Sequence, residues 1–335
     1  MKAAILVRHG APLVVDEVDP LDLGQGQALV RIRASGICGK QINEIAGNCG
    51  SDKYMPHLLG HEGAGIVQEI GPGVTHFKPG DHVVLHWRKG AGIEAECPRY
   101  RWGDEFIGGG PVTTFNEYAV VSENRLTRIE DDIPLDLAAL MGCAVTTGLG
   151  VVLNDARLQP GQSLAIIGCG GVGLNVIQGA KLAGAKSIWA IDPAEGKMLK
   201  AHEFGATLTS EVVYEFLPVP GPDIIVDTTG NPVLIAWAFA LVAPGGKVIA
   251  VGQPPRGVNL VLPDFARNMK GKTLMDSQGG GTDPNADIPL YLTYWRRGLL
   301  KLKELITHRF PLEDVNEALD IMRSGAAGRI ILEMA

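Results

Sequence analysis

Short apolar segments separated by glycine and proline make up the first third of the chain. They are rich in Val, Ile and Leu and are bounded by turn sequences such as Lys78-Pro-Gly-Asp81, which is typical of β-strands. The predicted strands cover residues 3–7, 27–34, 65–70 and 82–86. The pattern therefore predicts an irregular, β-rich region.

From about residue 159 the pattern changes, and apolar strands alternate with stretches of helical periodicity. Such alternation is typical of βαβ units on a parallel sheet. The predicted strands are 163–167, 187–191, 223–227, 247–251 and 273–277, and the predicted helices are 172–183, 195–204 and 232–242. Beyond about Ile288 we expect a helical stretch and a last strand over 328–333, which rejoins the first domain.

Length, charge and hydropathy exclude several classes of protein. The chain has 335 residues, of which 46% are hydrophobic, and a formal net charge of −7. It can therefore bury two cores, and its acidity argues against binding nucleic acid. The longest apolar run, 233–243, is shorter than the ~18 residues of a membrane span, and the start MKAAILVRHG lacks a signal-peptide cleavage site. We expect a cytoplasmic protein with neither nucleic acid nor membrane partners.

The five cysteines do not form a disulfide pattern, because they are odd in number, scattered and without a C-x-x-C pair. They are Cys38, Cys49, Cys97, Cys143 and Cys169. Cys38 and Cys143, together with His61, offer the two thiolates and one imidazole that suit a catalytic zinc ion with one open position. The spacing alone does not establish such a site, since a lone buried cysteine is usually a small core side chain.

A glycine-rich turn follows the predicted strand 163–167 and opens a predicted helix. Its sequence, Gly168-Cys-Gly-Gly-Val-Gly173, has the G-x-G-x-x-G pattern in the setting that dinucleotide binding requires. Gly168 allows the tight turn, Gly170 lets the backbone approach a pyrophosphate, and Gly173 lets helix and strand pack closely. Asp192 can accept hydrogen bonds from an adenosine ribose and would repel a 2′-phosphate, which favours NAD over NADP. The alternative is a structural turn with a surface Asp.

Seven segments make the chain resemble the zinc-dependent alcohol dehydrogenases of the medium-chain dehydrogenase/reductase superfamily over essentially its whole length. They are GICGKQ (36–41), GHEGAGIV (60–67), KPGDHVV (78–84), GCAVTTG (142–148), GCGGVG (168–173), the stretch 192–197 and LITHRFPLEDVNEA (305–318). The resemblance implies an α/β fold in three parts. These are a GroES-like β-rich catalytic domain (1–148), a Rossmann NAD-binding domain with a doubly wound parallel sheet (149–284) and a C-terminal segment returning to the catalytic domain (285–335).

The resemblance also implies residues for the metal and the substrate. It makes Cys38, His61 and Cys143 the ligands of one catalytic zinc ion. Glu62 would be a nearby carboxylate that coordinates the metal when substrate is absent, and Trp87 would form an aromatic wall of the substrate pocket. The alternative is a pair of buried thiols beside a core histidine.

Further positions are implied for the cofactor. Thr147, Val172 and Val251 match positions that line the nicotinamide, Lys197 one near the adenosine ribose, and Arg329 one near the pyrophosphate. The residues expected to bind NAD are therefore Gly168, Gly170, Gly171, Val172, Gly173, Asp192, Lys197, Val251 and Arg329.

The sequence departs from the family after the predicted strand 82–86. Many members carry a structural zinc there on four closely spaced cysteines, but this chain has only Cys97, so we predict no structural zinc. The segment also holds Arg88, Lys89, Arg99 and Arg101, interleaved with acidic residues. We interpret it as a salt-bridged, solvated loop, with recognition of an anionic substrate as the alternative.

A second departure concerns proton transfer. Lys40 stands where the family usually has a Ser or Thr, and Asn43 occupies the position of the relay histidine. Gln41 replaces an Asp that commonly orients the ligand histidine, and we expect its amide oxygen to accept that hydrogen bond without charge. Our hypothesis is that Lys40 takes the alcohol proton or holds an anionic group of the substrate. The alternative is a lysine that swings into solvent.

These assignments predict an oxidoreductase that transfers a hydride between an alcohol and NAD to give an aldehyde or ketone, with polyols and sugar-like alcohols among the candidate substrates. Two alternatives remain open: a metal-free reductase of activated double bonds from the same superfamily, and a catalytically silent NAD-binding protein. Zinc analysis tests the first and turnover the second. The resemblance also implies a homodimer or homotetramer acting on a small molecule.

Overall fold

The computed structural model describes residues 1–48, 50, 52, 54–212, 217–218, 220–262 and 264–335. In chain order the strands are β1 (Lys2–Leu6), β2 (Val14–Glu17), β3 (Asp19–Pro20), β4 (Gln27–Ile37), β5 (His57–Leu58), β6 (Glu62–Ile70), β7 (His82–His86), β8 (Arg99–Trp102), β9 (Glu105–Gly108), β10 (Tyr118–Ser122), β11 (Leu126–Arg128), β12 (Ser163–Ile167), β13 (Ser187–Ile191), β14 (Leu208–Ser210), β15 (Ile224–Asp227), β16 (Lys247–Ala250), β17 (Thr273–Asp276), β18 (Ile306–Pro311) and β19 (Arg329–Glu333). Each strand predicted from the sequence is present, with ends that agree to within three residues.

The helices are α1 (Gly39–Ile45), α2 (Leu135–Ala139), α3 (Ala144–Gly150), α4 (Gly171–Leu182), α5 (Glu195–Phe204), α6 (Pro232–Leu241), α7 (Phe265–Asn268), α8 (Pro284–Arg296) and α9 (Val315–Ser324). The three predicted helices correspond to α4, α5 and α6. Among the described residues, no single helix is long and apolar enough to cross a membrane, although the bent pair 135–142 and 144–156 passes the same test jointly.

The chain folds as two units, which comprise Met1–Cys143, Asp283–Gly298 and Leu302–Ala335 in the first, and Ala144–Thr282 and Leu299–Lys301 in the second. The first unit contains a six-stranded sheet of order β2-β1-β5-β9-β8-β3. It also contains a seven-stranded sheet of order β11-β7-β6-β4-β19-β18, in which β10 pairs with β4. Alternate side chains of β4, including Val30 and Ile32, are fully buried in the core of this unit.

The C-terminal strand belongs to the first unit, because β19 pairs antiparallel with β4, from Ile330 opposite Ile37 to Glu333 opposite Ala34. Residues 330–332 are fully buried there. The last strand therefore joins β4, which comes from the first 40 residues, to β18, with which it pairs in parallel.

The second unit is built on a parallel six-stranded sheet of order β14-β13-β12-β15-β16-β17. Its central strands are buried along their whole length, as expected for a sheet covered by helices on both faces. The strand order reverses between β12 and β15, and ligands of such sheets bind beyond the carboxyl ends of the strands at this point. The α/β class with a Rossmann-type sheet is confirmed.

Candidate active site

Three residues that are remote in the sequence meet in the first unit. Cys38, His61 and Cys143 each offer one ligand atom, and these atoms lie within 4.8 Å of one another. Among the residues that the structure describes, no other group of His, Cys, Asp and Glu meets this test. Two thiols and one imidazole at this separation form the donor set of a zinc site with an open position.

The local fold explains why the three ligand atoms converge. Cys38 follows β4 and is the N-cap of α1, whereas His61 immediately precedes β6. Gly60 adopts a φ of +93°, and a Cβ at this position would lie 2.4 Å from the nearest side-chain atom. Cys143 follows Gly142, where a Cβ would lie 2.4 Å from a backbone oxygen of β7. Glycine at both positions therefore lets the chain carry the ligands close to the sheet.

The environment of the thiols favours the thiolate that a metal requires. A hydrogen bond with Cys143 holds the pKa of Cys38 well below its ordinary value. Burial opposes this shift, while a hydrogen bond from His61 and the charges of His61 and Arg329 add to it. The site is thus preorganised for a cation, because thiolates and not thiols bind metals.

Gln41 lies between two of the three residues and is 1% exposed. Its Oε1 accepts a hydrogen bond from the backbone N–H of Cys38 at 3.0 Å, and its Nε2 lies 2.5 Å from Nδ1 of His61. The expectation that the amide oxygen faces His61 is therefore wrong in this structure. The oxygen is taken by the first unpaired N–H of α1, because a helix start leaves its N–H groups without intrahelical partners.

Glu62 and Arg329 form a buried ion pair beside the site. Glu62 begins β6 and is fully buried, while Arg329 begins β19 and is 2% exposed. Arg329 also hydrogen-bonds Cys38. Gly36 leaves space for the carboxylate, since a Cβ there would lie 2.5 Å from Glu62 Oε1. The structure thus pairs Arg329 with Glu62 in the first unit, and its contact with a pyrophosphate stays a prediction.

The residues by which this sequence differs from the proton-transfer positions of the family it resembles lie on α1. Lys40 and Asn43 are exposed, and Glu44 is half-buried. Burial raises the pKa of Glu44, against the electrostatic influence of His61, Lys40 and His57. His57 in turn pairs with Asp52, with 2.7 Å between Nε2 and Oδ2. The sequence analysis missed Glu44, His57 and Asp52; the available signals were an acid one helical turn after Lys40 and a second histidine in HLLGHE.

The segment after β7 is held by ionic contacts. Glu94 accepts hydrogen bonds from Asn124 at 2.8 Å and Arg125 at 2.9 Å and pairs with Lys89 at 3.0 Å. These hydrogen bonds hold the pKa of Glu94 at about 2, although burial alone would raise that pKa. The predicted salt-bridged loop is confirmed for Lys89.

Other predicted positions lie in the same segment of the chain. Trp87 is half-buried and lies 5.8 Å from the Arg88 guanidinium, measured to the ring centroid. Arg101 pairs with Asp19 at 2.9 Å, and Arg99 lies over the Phe106 ring at 5.0 Å. Of the predicted basic group, Arg101 and Lys89 therefore have acidic partners.

The glycine turn in the second unit connects β12 to α4. Gly168 adopts a φ of +94°, which only glycine adopts at little cost. A Cβ at Gly173 would lie 2.0 Å from the Gly168 carbonyl oxygen, so only glycine allows this helix to pack on its strand. A Cβ at Gly170 would meet nothing within 4 Å. Gly170, at the start of α4, therefore borders open space.

Asp192 follows β13 and joins the glycine turn to the next loop. Its Oδ2 accepts the Cys169 backbone N–H at 2.8 Å, and its Oδ1 accepts that of Ala194 at 3.0 Å. Lys197 Nζ lies 3.8 Å from Oδ2. Each carboxylate oxygen can accept more than one hydrogen bond, so this buried side chain still has capacity for ribose hydroxyls.

The positions expected at the nicotinamide also lie in the second unit. Thr147 is buried in α3, Val172 is half-buried in the first turn of α4, and Val251 follows β16. A Cβ at Gly148 would lie 2.6 Å from the Val172 carbonyl oxygen, so α3 packs directly on the start of α4. This packing brings the helix of Thr147 to the helix that begins at Gly171.

Comparison with known proteins agrees with the donor set of the first unit and with the glycine turn of the second. The alcohol dehydrogenase GroES-like domain matches residues 24–131, and the zinc-binding dehydrogenase domain matches residues 171–293. The chain is 31% identical to alcohol dehydrogenase class-3 of Cereibacter sphaeroides, over 99% of both proteins. It belongs to the zinc-dependent alcohol dehydrogenase family of the medium-chain dehydrogenase/reductase superfamily.

Other relatives of this family member point the same way. It is 30% identical to the S-(hydroxymethyl)glutathione dehydrogenase of Paracoccus denitrificans, again over 99% of both proteins. A crystal structure of an alcohol dehydrogenase zinc-binding domain protein from Burkholderia ambifaria superposes with a TM-score of 0.89 at 25% identity, covering 100% of this chain and 98% of the other.

Proposed function

We propose that the protein is an NAD-dependent oxidoreductase that converts an alcohol into an aldehyde or ketone, with one zinc ion held by Cys38, His61 and Cys143. The observation that supports this most strongly is the convergence of two thiols and one imidazole within 4.8 Å. The relatives named as alcohol and S-(hydroxymethyl)glutathione dehydrogenases support a substrate with a hydroxyl group.

The residues present fit a zinc ion, because the donor set and the lowered pKa of Cys38 favour a cation. Bound there, zinc supplies a Lewis acid for the substrate hydroxyl, and NAD supplies the hydride acceptor. In the proposal, Glu62, which pairs with Arg329 beside the site, is the carboxylate that approaches the metal when substrate is absent. Trp87 limits the substrate pocket.

The glycine turn and Asp192 support NAD as the cofactor. The backbone of Gly168, Gly170 and Gly171 receives the pyrophosphate at the start of α4, where helix N–H groups point at an anion. Asp192 accepts hydrogen bonds from the ribose and disfavours a 2′-phosphate, with Lys197 beside it. Further positions complete the proposed cofactor site, namely Thr147, Val172 and Val251 at the nicotinamide and Arg329 at the pyrophosphate.

The proposal includes a single zinc ion per chain and no structural zinc. It is supported by the sequence of the segment that follows β7, which has Cys97 as its one cysteine, and by the ionic network of Glu94 with Arg125 and Lys89 in that segment. Lys40, exposed on α1, is proposed to hold an anionic group of the substrate. A cytoplasmic homodimer or homotetramer is the proposed assembly.

Metal analysis combined with a substrate screen tests the proposal. Zinc-replete wild-type protein should contain about one zinc per chain and should reduce NAD in preference to NADP with at least one alcohol of a broad panel. Cys38→Ser should lose both the zinc and the turnover. Cys97→Ser, which changes an exposed thiol outside the cluster, should keep both. Zinc-free wild-type protein, or full turnover by Cys38→Ser, would contradict the proposal, and reduction of activated double bonds without zinc would support the metal-free alternative.

A further inference from the structure

One amide side chain serves two of the proposed zinc ligands. Gln41 accepts the Cys38 backbone N–H through Oε1 at 3.0 Å, and its Nε2 lies 2.5 Å from His61 Nδ1. Because the side chain is 1% exposed, bulk water does not readily replace either contact. The chemistry of this one side chain therefore decides whether both ligands are satisfied.

Binding a metal changes the hydrogen bond that His61 makes with Gln41. A metal-bound neutral histidine coordinates through one ring nitrogen and carries its proton on the other, which donates to an acceptor. Nδ1 of His61 contacts Gln41, whereas the ring also hydrogen-bonds Cys38 within the cluster of ligands. Nε2 is therefore the nitrogen available to the metal, and Nδ1 is the one that has to donate.

A glutamine cannot satisfy both donors in the metal-bound site. The Cys38 backbone N–H and the His61 Nδ1–H both require an acceptor, but they face opposite ends of the amide, and only one end carries an oxygen. Interchanging its oxygen and nitrogen moves the mismatch from one ligand to the other without removing it. In the metal-free site the observed contacts are compatible, since Nε2 of Gln41 can donate to an unprotonated Nδ1.

We propose that Gln41 is a positioning residue that lowers the zinc affinity of this site by stabilising the metal-free arrangement of Cys38 and His61. The proposal rests on the proposed function, because it takes these residues as zinc ligands. Changes in the groups that hydrogen-bond a metal-bound histidine typically alter metal affinity by ~10- to 100-fold. A site with a carboxylate at position 41 has two acceptor oxygens and should hold zinc correspondingly more tightly.

The test measures zinc affinity by competition with a chromogenic chelator, using the full chain and zinc alone as the probe. Gln41→Glu preserves the length of the side chain and supplies two acceptors, so its dissociation constant for zinc should fall by ~10-fold or more. Asn43→Asp is the matched control, because it adds the same charge to an exposed position of α1. We expect this control to change the zinc affinity by less than ~3-fold, since exposed charges interact weakly.

Cobalt substitution shows whether the same ligands are used. The thiolate-to-cobalt absorption of Gln41→Glu should match that of the wild type, while the cobalt affinity rises as the zinc affinity does. If Gln41→Glu fails to fold by circular dichroism, Gln41→Asp takes its place, with a shorter side chain and the same two acceptors.

The outcomes separate this inference from the proposed function. Wild-type zinc binding with unchanged affinity in Gln41→Glu overturns the inference and leaves the function standing. An equal gain in Asn43→Asp also overturns it, because net charge would then explain the effect. Absence of stoichiometric zinc binding by the wild type contradicts both. A gain confined to Gln41→Glu, with the cobalt spectrum conserved, supports the inference.

Discussion

Acid should weaken the folded state through His86, which is buried near the end of β7. Its side chain donates from Nδ1 to the Arg88 carbonyl oxygen at 2.7 Å, and its Nε2 lies 3.0 Å from the Thr127 hydroxyl, which can donate to it. The neutral ring is thereby satisfied at both nitrogens. Burial lowers the pKa of His86 to about 4, because a charged ring would be poorly solvated there, and backbone hydrogen bonds with Arg88 and Leu126 offset this only in part.

The sign and size of the effect of acid on stability follow from the pKa of His86 in the folded and the unfolded chain. In the unfolded chain the pKa returns to about 6.5, so between pH 6.5 and 4 the unfolded chain takes up a proton that the folded chain refuses. This contribution to the free energy of unfolding is complete above pH 6.5 and is lost progressively as the pH falls to about 4. The separation of the two pKa values corresponds to about 3 kcal/mol.

Urea unfolding of wild type and His86→Gln at the two ends of this pH window measures the effect. Glutamine offers one donor and one acceptor in a similar position but does not titrate. Other ionisable groups, those of the proposed zinc site included, are common to both proteins, so comparing the two slopes isolates His86. Wild type should lose about 3 kcal/mol more than the variant on acidification, even if the variant is less stable at neutral pH.

Parallel stability curves for the two proteins would refute the argument. They would mean that His86 takes up its proton equally in the folded and unfolded states. A steeper loss in His86→Gln would contradict the sign as well as the size.

Three further predictions concern other parts of the two units. Replacing Arg329 by Met should lower the free energy of unfolding by ~3–5 kcal/mol in urea titrations, because Glu62 would remain buried without its partner. Gly173→Ala should weaken NAD binding by ~10-fold or more in fluorescence titrations, since its Cβ would collide with the Gly168 carbonyl oxygen. Asp192→Asn should raise kcat/KM with NADP relative to NAD by ~10-fold, because the charge that repels a 2′-phosphate is removed.

The fold was most predictable where the local pattern and the final burial coincide. The bounds of β12, β13 and α5 agree with the prediction, because two apolar runs are buried on both faces and the helix ends at Gly205 in a left-handed conformation. The two-residue strands β3 and β5 have no pattern of their own, because their pairing partners come from elsewhere in the chain. Helix α3 contains two glycines and is buried on every side, so it lacks the amphipathic stripe by which helices are recognised.

The sequence predicted which residues form the candidate site, but it did not predict the contacts that they make. The sequence motifs identify Cys38, His61 and Cys143 through family resemblance, whereas their meeting depends on three separate segments of the first unit. Gln41 is a clear example of a contact that the sequence does not predict. Its Oε1 and Nε2 lie at the same distance along the side chain, and nothing in GICGKQ decides which of the two atoms faces His61. The start of α1 decides it: the N–H of Cys38 lies one turn before Gln41 and takes the oxygen, so the nitrogen remains for a histidine that arrives from another strand. A helix cap and a metal ligand thus compete for one acceptor atom, and only the packed structure reveals that competition.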